Sequence, residues 1–523
     1  MDERSGRRLA RSTAIFSLAT GVSRILGLVR EIVASYYFGA AGKINAFTVA
    51  FQVPNLVRSL VADAALSAAF VPVFTELLEK GEKRRAWRVA STLFWLVLLV
   101  LGALTALLML LAPWIIKPFG DPGGDAELAV GLSRVLFPIV ALLGVSGIVV
   151  GILNSYEHFA VPALTPVFWN VAIIVGLVIG VPRADTIDAK LYVYAASILV
   201  GTVIQVLLPI PWLRGRDDRL RVLIDWRDPA VWRVLRLMVP VTLSLGLINF
   251  NLVVNSAFAS RLIDPNLAPT AIDKAFRLYM LPQGMFSVAV ATVLFPSLSR
   301  LAARGDEGAF RNTVGLGLRQ IAFMLIPASA VSAVLAEPIT RLVYQRGEFD
   351  AVQTPVVAGA LAAFSAGLFF NGTMLLLNRA FFSLQSNWIP TLVALGNLSV
   401  NAGLDAVFYR FGTWGIPLAT SIANIAGTIA LFFLLRRRLG RLELRETADS
   451  IMRIVLASAA VAGASFGIWY GLDQALGRSF LGQLGSVGTA LVVGVAVYLV
   501  CCRALQVREL GALLALRSRL RRT

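Results

Sequence analysis

Residues 21–39 of the sequence read GVSRILGLVREIVASYYFG, an apolar run with Arg24, Arg30 and Glu31 in its interior. A run of this length can cross the ~30 Å hydrocarbon core of a bilayer as a helix. A charged side chain near the centre of such a helix costs about 2.5–3.5 kcal/mol on insertion scales, so it normally faces a water-filled cavity or a partner. The stretch therefore predicts a membrane helix whose charges have a function or a partner.

The two arginines of this run point in different directions. Arg24 and Glu31 share one helix face, whereas Arg30 lies about 120° round from Arg24. One straight helix cannot direct both arginines at one point. Arg30 and Glu31 are equally well explained as a structural ion pair or as snorkelling side chains. Arg24 lies deeper in the run and is the stronger candidate for a functional role.

The composition extends the membrane prediction to the whole chain. Of its 523 residues, 57% are hydrophobic and only 15% are charged, and the mean hydropathy is +0.76. These values exclude an ordinary soluble protein of this size. The formal charge of +18 is carried by short segments between apolar runs, which favours membrane topology over nucleic-acid binding. Two adjacent cysteines and one histidine exclude a disulfide framework and a multi-histidine metal site.

Apolar stretches long enough to span the membrane number about fourteen. They cover residues 10–37, 44–78, 86–115, 126–153, 159–182, 189–213, 229–261, 268–299, 311–340, 352–382, 387–409, 414–436, 449–472 and 481–505. We predict an all-α polytopic membrane protein with two pseudo-symmetric six-helix lobes, residues 1–215 and 216–440. Two further helices and a basic tail follow in residues 441–523. The first run lacks a small-residue cleavage site and is expected to be retained.

An internal sequence similarity supports the prediction of two lobes. The second span runs into FVPVFTELLEKGE (residues 70–82), and the eighth runs into LFPSLSRLAARGD (residues 294–306). Aligning Pro72 with Pro296 also aligns Gly81 with Gly305, at an offset of six helices. Repeated helical halves are a common transporter architecture, whereas chance similarity between apolar sequences is the alternative.

Basic residues crowd one set of loops and both ends of the chain. Examples are EKGEKRRAWR (residues 79–88) and RRRLGRLELR (residues 436–445). The positive-inside rule places this set in the cytoplasm, and an even number of spans puts both termini there. A short interfacial helix is expected at residues 220–226, in the basic connection between the predicted lobes, because apolar and charged residues mix there.

Polar residues also mark the second and eighth spans. Asn45, Gln52, Ser59 and Asp63 form one helical stripe that is expected to line a cavity, and Arg58 lies off this stripe beyond a kink at Pro54. In the eighth span, Asp273, Lys274 and Arg277 lie within about one turn. Asp273 and Arg277, four residues apart, could simply neutralise each other.

Amides recur in the spans of the second half, and interhelical hydrogen bonding is their default explanation. The aligned sets are Ser244, Asn251 and Asn255, then Asn371 and Asn378, then Asn397, Asn401 and Asp405. Asp405 lies one turn after Asn401 and offers oxygen ligands for a cation or a proton. Its alternative is a structural ion pair.

The sequence contains no P-loop, H-E-x-x-H or G-x-S-x-G motif. The charges within the spans are mostly arginines, which cannot act as bases but can bind a phosphate bidentately. This chemistry favours a site for phosphate-like groups. A membrane transferase that uses carboxylates and a metal remains an alternative.

Three motifs carry a family resemblance. SRILGLVRE (residues 23–31), AFQVPNLVRSLVAD followed by ALSAAFVPVF (residues 50–74) and LPQGMFSVAVATVLFPSLS (residues 281–299) resemble the MurJ (MviN) lipid II flippases of the multidrug/oligosaccharidyl-lipid/polysaccharide exporter superfamily. The resemblance covers nearly the whole chain. It implies a V-shaped, two-lobed bundle in the bacterial inner membrane that moves the undecaprenyl-diphosphate-linked peptidoglycan precursor outward by alternating access. Export of another lipid-linked saccharide or of drugs is the alternative.

The resemblance also implies site residues. The substrate-binding set is Arg24, Arg30, Arg58, Arg277, Glu31, Asp63, Asn45, Gln52, Asn55 and Ser23. Family members often carry Asp where Asn45 and Phe276 stand here. The family's sodium site corresponds to Asn255, Asn401, Asp405 and Thr420, with Asn255 in place of an acid found in some relatives.

The implied partners are lipid II and membrane lipids, without nucleic acid. The expected coupling is to sodium or to the membrane potential, with no other cofactor. Contacts with cell-wall synthesis proteins are left open by the resemblance.

Overall fold

The computed structural model describes residues 3–61, 65–156, 158, 160–386, 388–440 and 444–510. Side chains are described for these residues except 3–18, 58–61, 65–68, 239–241, 243–248, 288, 289, 292, 444 and 445. The described chain is helical almost throughout, with no β-strand in these ranges. This confirms the predicted all-α class.

The α-helices of the described ranges are numbered here in chain order. They are α1 (Glu3–Phe38), α2 (Ile44–Val61), α3 (Ala65–Glu79), α4 (Lys83–Ile116), α5 (Ala126–Leu136), α6 (Pro138–Ser155), α7 (Ala160–Val175), α8 (Ile187–Leu207), α9 (Pro229–Phe258), α10 (Ala268–Pro282), α11 (Val288–Arg304), α12 (Glu307–Val334), α13 (Ala336–Tyr344), α14 (Gln353–Ser365), α15 (Leu368–Ser383), α16 (Trp388–Phe408), α17 (Gly415–Leu439), α18 (Leu444–Leu476) and α19 (Phe480–Ala504). Single π-helical turns follow α7, α9 and α10.

Each predicted span coincides with one helix or with consecutive helices. Within the described ranges, nine helical stretches are long and apolar enough to cross a membrane, and α14 with α15, bent by 45°, would make a tenth. The exact number of fourteen stays a prediction. The four predicted spans outside this set are the first, second, seventh and eighth, and each of them includes side chains outside the description.

Contacts divide the chain into two compact units, residues 1–269 and 270–523. The predicted boundary between the lobes, at residue 215, falls inside the first unit. Helix α9 belongs to this unit because it packs against α2 and α3. The assignment of three domains therefore stays a prediction.

Aromatic packing holds the first unit together. The rings of Phe47 and Tyr194 stack at 4.3 Å between centroids, and Phe38 stacks on Tyr194 at 5.7 Å, which joins α1, α2 and α8. A second buried cluster contains Phe70, Phe74 and Trp87 from α3 and α4. Offset-stacked and edge-to-face ring pairs add stability beyond the apolar area that they bury.

In the second unit, α18 and α19 are attached to α12. The Tyr498 hydroxyl donates a hydrogen bond to the Phe323 carbonyl at 2.6 Å. At one end of these helices, Arg319 pairs with the buried Glu509 carboxylate at 3.0 Å, and Ser450 donates to the same carboxylate at 2.7 Å. The last two helices are thus joined to the unit by a hydrogen bond and by an ion pair to a buried carboxylate.

The predicted interfacial helix at residues 220–226 is wrong, because this segment is extended and turn-like. The backbone N–H of Arg221 donates to the Ser91 hydroxyl at 3.1 Å, and that of Asp225 donates to the Thr92 hydroxyl at 3.0 Å. Side-chain acceptors of this kind compete with intrahelical hydrogen bonds. Here they hold the segment along α4 instead.

Candidate functional site

Arg30 and Glu31 form a buried ion pair on α1. The Arg30 Nη2 atom lies 2.6 Å from Oε1 of Glu31, and the two residues are 9% and 8% exposed. Arg30 also donates to Oδ1 of Asn170 at 3.3 Å, and its guanidinium carbon lies 4.7 Å from the centre of the Trp169 ring. Both of these partners lie on α7. In this conformation Arg30 and Glu31 therefore form the structural ion pair that was one of the two explanations of their charges.

Arg24 has a different environment on the same helix. Its side chain is exposed, and it makes no hydrogen bond or ion pair with any residue in the described ranges. Ser23 beside it is half-buried, and its carbonyl accepts from Nδ2 of Asn170 at 3.4 Å. α1 thus holds one buried arginine fixed by partners and one exposed arginine, as their different directions on the helix predict.

Asn45 is fully buried at the start of α2. Its side-chain Nδ2 donates to the carbonyl oxygens of Ala40 and Gly42, both at 3.0 Å, and of Asn266 at 2.6 Å. Gly123 packs against this turn with φ of +70°, and a Cβ there would lie 2.9 Å from the Gly42 carbonyl oxygen. In this conformation the Asn45 amide joins two loops, and its assignment to the substrate stays a prediction.

Lys43 completes this group of loops through two ion pairs. Its Nζ lies 3.0 Å from Asp125 and 2.7 Å from Asp188. These hydrogen bonds, with that of Asp188 the stronger, raise the pKa of the Lys43 ammonium. The pKa of Asp125 is lowered, first by the Leu128 backbone N–H and then by Lys43. Lys43 and Asp125 are therefore both charged at neutral pH.

The remaining predicted residues of the second span are only partly described. Gln52 and Asn55 on α2 are half-buried. Arg58 lies on α2, but its side chain is outside the description, and Asp63 lies outside the described residues altogether. The predicted polar stripe is therefore tested at Asn45 and Gln52 only, and its members differ in burial.

On α10, Arg277 pairs with Asp273 across one helical turn. The distance from Nε to Oδ2 is 2.7 Å, and the two side chains are 32% and 25% exposed. This is the neutralising pair that their spacing allows. Because it remains partly accessible, an anion of higher charge can compete with Asp273 for the guanidinium.

Lys274, one residue from this pair, is only 4% exposed. Its Nζ lies 5.0 Å from the centre of the Tyr344 ring and 5.9 Å from that of Phe349. Aromatic faces stabilise a desolvated ammonium. Sequence reasoning missed this aromatic pocket, because the rings are about seventy residues away and no local pattern links them to Lys274.

Asn401 and Asp405 are brought together on α16. Both are buried, and Nδ2 of Asn401 donates to Oδ2 of Asp405 at 2.8 Å. Thr420 on α17 donates its hydroxyl to the Ile416 carbonyl at 3.2 Å. Asn255 is also buried and lies on α9 in the first unit. Carboxylate, amide and hydroxyl oxygens are the ligands that small hard cations prefer.

In the described part of the chain, no group of three or more His, Cys, Asp or Glu residues could hold a metal ion. The default explanation of the amides is confirmed at Asn371, whose Oδ1 accepts from Gln283 at 2.8 Å and links α15 to the π-helical turn after α10. Asp405 and Asn401, in contact on α16, are the pair on which the prediction of an ion site rests, and the site stays a prediction.

A family model described as "Lipid II flippase MurJ" matches residues 34–481. The chain belongs to the MurJ family. A probable lipid II flippase MurJ from Vibrio cholerae is 30% identical over 96% of this chain and 97% of its own length. The lipid II flippase MurJ of Burkholderia cenocepacia is 31% identical over 82% of this chain and 84% of its own length. Proteins of this family are named flippases, not enzymes, and this MurJ is accordingly a multi-pass inner-membrane transporter.

Solved structures agree with this assignment. A structure described as lipid II flippase MurJ in an inward closed conformation superposes with a TM-score of 0.78 at 25% identity, covering 95% of this chain and 99% of its own. An inward-facing multidrug transporter of the MATE family gives 0.64 at 19% identity, over 82% and 95% of the two chains. The second likeness concerns the fold alone.

We expect Asp405→Asn to alter the ion dependence of transport by this MurJ. The substitution keeps the size of the side chain and its hydrogen bond to Asn401 but removes the charge that a monovalent cation or proton would neutralise. Transport is measured in proteoliposomes over a series of sodium concentrations and pH values. Thr420→Val is the matched test of a neutral ligand. A D405N protein that transports normally under every condition would assign Asp405 a structural role.

Proposed function

We propose that this MurJ protein flips lipid II, the undecaprenyl-diphosphate-linked peptidoglycan precursor, from the inner to the outer leaflet by alternating access. The observation that carries the proposal is the family match over most of the chain. Two features of the site support it. Arg24 is exposed, and the ion pair of Arg277 with Asp273 is partly accessible.

In this mechanism the arginines bind the diphosphate. Arg24 offers planar, paired donors to the phosphate oxygens, and Arg277 exchanges Asp273 for the substrate. Asp273 keeps Arg277 neutralised until the diphosphate arrives. The polyprenyl tail stays in lipid throughout, which avoids the cost of exposing a long hydrocarbon chain to water. Sodium or the membrane potential, through the oxygen set around Asp405, is the proposed source of energy.

The test is complementation of a strain depleted of its own lipid II flippase, combined with lipid II transport in proteoliposomes. Growth together with transport is expected. Failure of both with folded protein in the membrane would point to another lipid-linked saccharide or to a drug as the cargo. Chemical turnover of the labelled precursor in detergent, where there is no bilayer to cross, would instead indicate an enzyme.

Both termini are proposed to be cytoplasmic. Single cysteines at Asp121 or Arg183 should then react with a membrane-impermeant reagent in intact cells, because the asymmetry of basic loops puts them outside. Cysteines at Lys83, Arg216 or Arg438 should react only after permeabilisation. A background that lacks Cys501 and Cys502 removes the native thiols. Reversed accessibility would reverse the proposed orientation and the direction of transport.

A further inference from the structure

The connection between α8 and α9 lies along the first turns of α4. Besides the backbone contacts to Ser91 and Thr92, the Trp95 indole N–H donates to the Arg221 carbonyl at 2.9 Å. These three residues of α4 support the middle of the connection, residues 214–228, which we name the linker. Its path is therefore fixed by hydrogen bonds rather than by a helix of its own.

Charged contacts fasten both ends of the linker. Asp228 accepts from Nε and Nη2 of Arg85, each at 3.0 Å. Asp217 accepts from Lys83 at 2.7 Å and from the Tyr156 hydroxyl at 2.8 Å. These partners lower the pKa of Asp228 and of Asp217, with Arg85 and Lys83 as the respective largest causes. Both ion pairs are therefore formed at neutral pH. They weaken only as the pH falls below 3.8, the ordinary pKa of an Asp carboxyl.

The acidic side chains of the linker are less exposed than most of its arginines. The carboxylates of Asp217, Asp218 and Asp228 are turned toward protein partners, with side chains 26%, 17% and 12% exposed. Among the arginines, Arg214, Arg219 and Arg227 are exposed, and Arg221, whose side chain is 63% exposed, pairs with Asp218 at 3.1 Å. The outer surface of the linker is consequently basic.

Large apolar side chains lie on this same outer surface. Val222 is 84% exposed, Ile224 46% and Trp226 63%. Leu223 between them is 38% exposed as well, so four apolar side chains of the linker are exposed. An apolar face of this kind among basic residues is typical of a surface that binds membrane.

The position of the linker on α4 fits the depth of the membrane interface. Ser91, Thr92 and Trp95 lie near the start of α4, and Leu99 and Val100, one to two turns later, are 57% and 56% exposed. α4 is one of the apolar membrane-spanning helices. The linker therefore lies where α4 enters the hydrocarbon, the level at which tryptophan and arginine are favoured.

We propose that the linker is a non-helical membrane anchor that binds anionic phospholipid. Val222, Ile224 and Trp226 insert at the boundary between headgroups and acyl chains, and Arg219 and Arg227 bind the lipid phosphates. The partner is the anionic surface of the leaflet on the basic side of the protein. The proposal does not depend on which cargo the protein transports.

The first test measures depth. A nitroxide label at Val222→Cys, in the full-length protein lacking Cys501 and Cys502, is examined in vesicles of phosphatidylcholine with or without phosphatidylglycerol. With phosphatidylglycerol present, we expect collisions with oxygen to exceed those with an aqueous nickel chelate. The matched control is Lys80→Cys at the exposed end of α3, which should report water. Equal aqueous accessibility of the two labels would overturn the proposal.

The second test measures charge. Replacing both Arg219 and Arg227 by Gln should weaken binding of short-chain phosphatidylglycerol, measured by native mass spectrometry, about twenty-five-fold, or about fivefold per arginine. Arg219→Lys with Arg227→Lys keeps the charges and should bind nearly as the native protein does. Unchanged binding by the Gln variant, or equal loss in the Lys and Gln variants, would contradict recognition of lipid phosphates by these residues.

Discussion

Arg24→Ala is expected to abolish flipping, or to reduce it sharply, while folded protein remains in the membrane. The Arg24 side chain is exposed and has no ion-pair partner within the described ranges, so its removal leaves no buried group unsatisfied. A charge-assisted hydrogen bond to phosphate contributes ~1.5–3 kcal/mol, which corresponds to a ten- to hundredfold loss of binding. Arg24→Lys should restore activity only in part, because lysine lacks the planar fork of donors.

The measurement for Arg24 combines lipid II binding, flipping and expression level on the same preparations. Arg183→Ala is a suitable control, because Arg183 is also exposed but its guanidinium donates to a carbonyl four residues earlier on its own helix. The control should bind and flip normally. Normal binding by Arg24→Ala, or loss of the folded protein together with the activity, would contradict direct binding of the diphosphate by Arg24.

Glu31→Ala is expected to act through stability instead. Breaking a buried ion pair by removing one partner typically costs about 3–5 kcal/mol, because the other charge stays buried. Trp169 and Asn170 still contact Arg30, so we place the loss near the lower end, at about 3 kcal/mol. Thermal unfolding in detergent measures the effect.

A double variant separates structure from function at this pair. Arg30→Met with Glu31→Met removes both charges and should recover much of the lost stability, since buried pairs can often be replaced by apolar side chains. If that protein is stable and flips lipid II, the pair is structural. Native stability of Glu31→Ala combined with lost flipping would show that Glu31 acts on substrate or on the transport cycle.

The two arginines of α1 show which features of the site can be predicted from spacing within one helix. Their spacing predicted different directions, and the structure has Arg30 buried and Arg24 exposed. The two partners of Arg30 on α7, Trp169 and Asn170, lie about 140 residues away in sequence, so no spacing within the first span could identify them. The ion pair of Asp273 and Arg277 was predictable because it is contained in one helical turn.

The sequence by itself determined that the chain is a helical membrane protein of the MurJ family with unusual charges in its first two and eighth spans. Hydropathy, helical periodicity and motif identity are properties of neighbouring residues and need no knowledge of packing. Only the tertiary structure decided the surroundings of the individual polar groups. Asn45 donates to the carbonyl of Asn266, Lys274 lies against Tyr344, and Ser91 and Thr92 draw the linker out of the helix predicted for it. A buried polar group takes whichever partner the fold brings within hydrogen-bonding distance, and that partner is set by contacts between segments far apart in the chain.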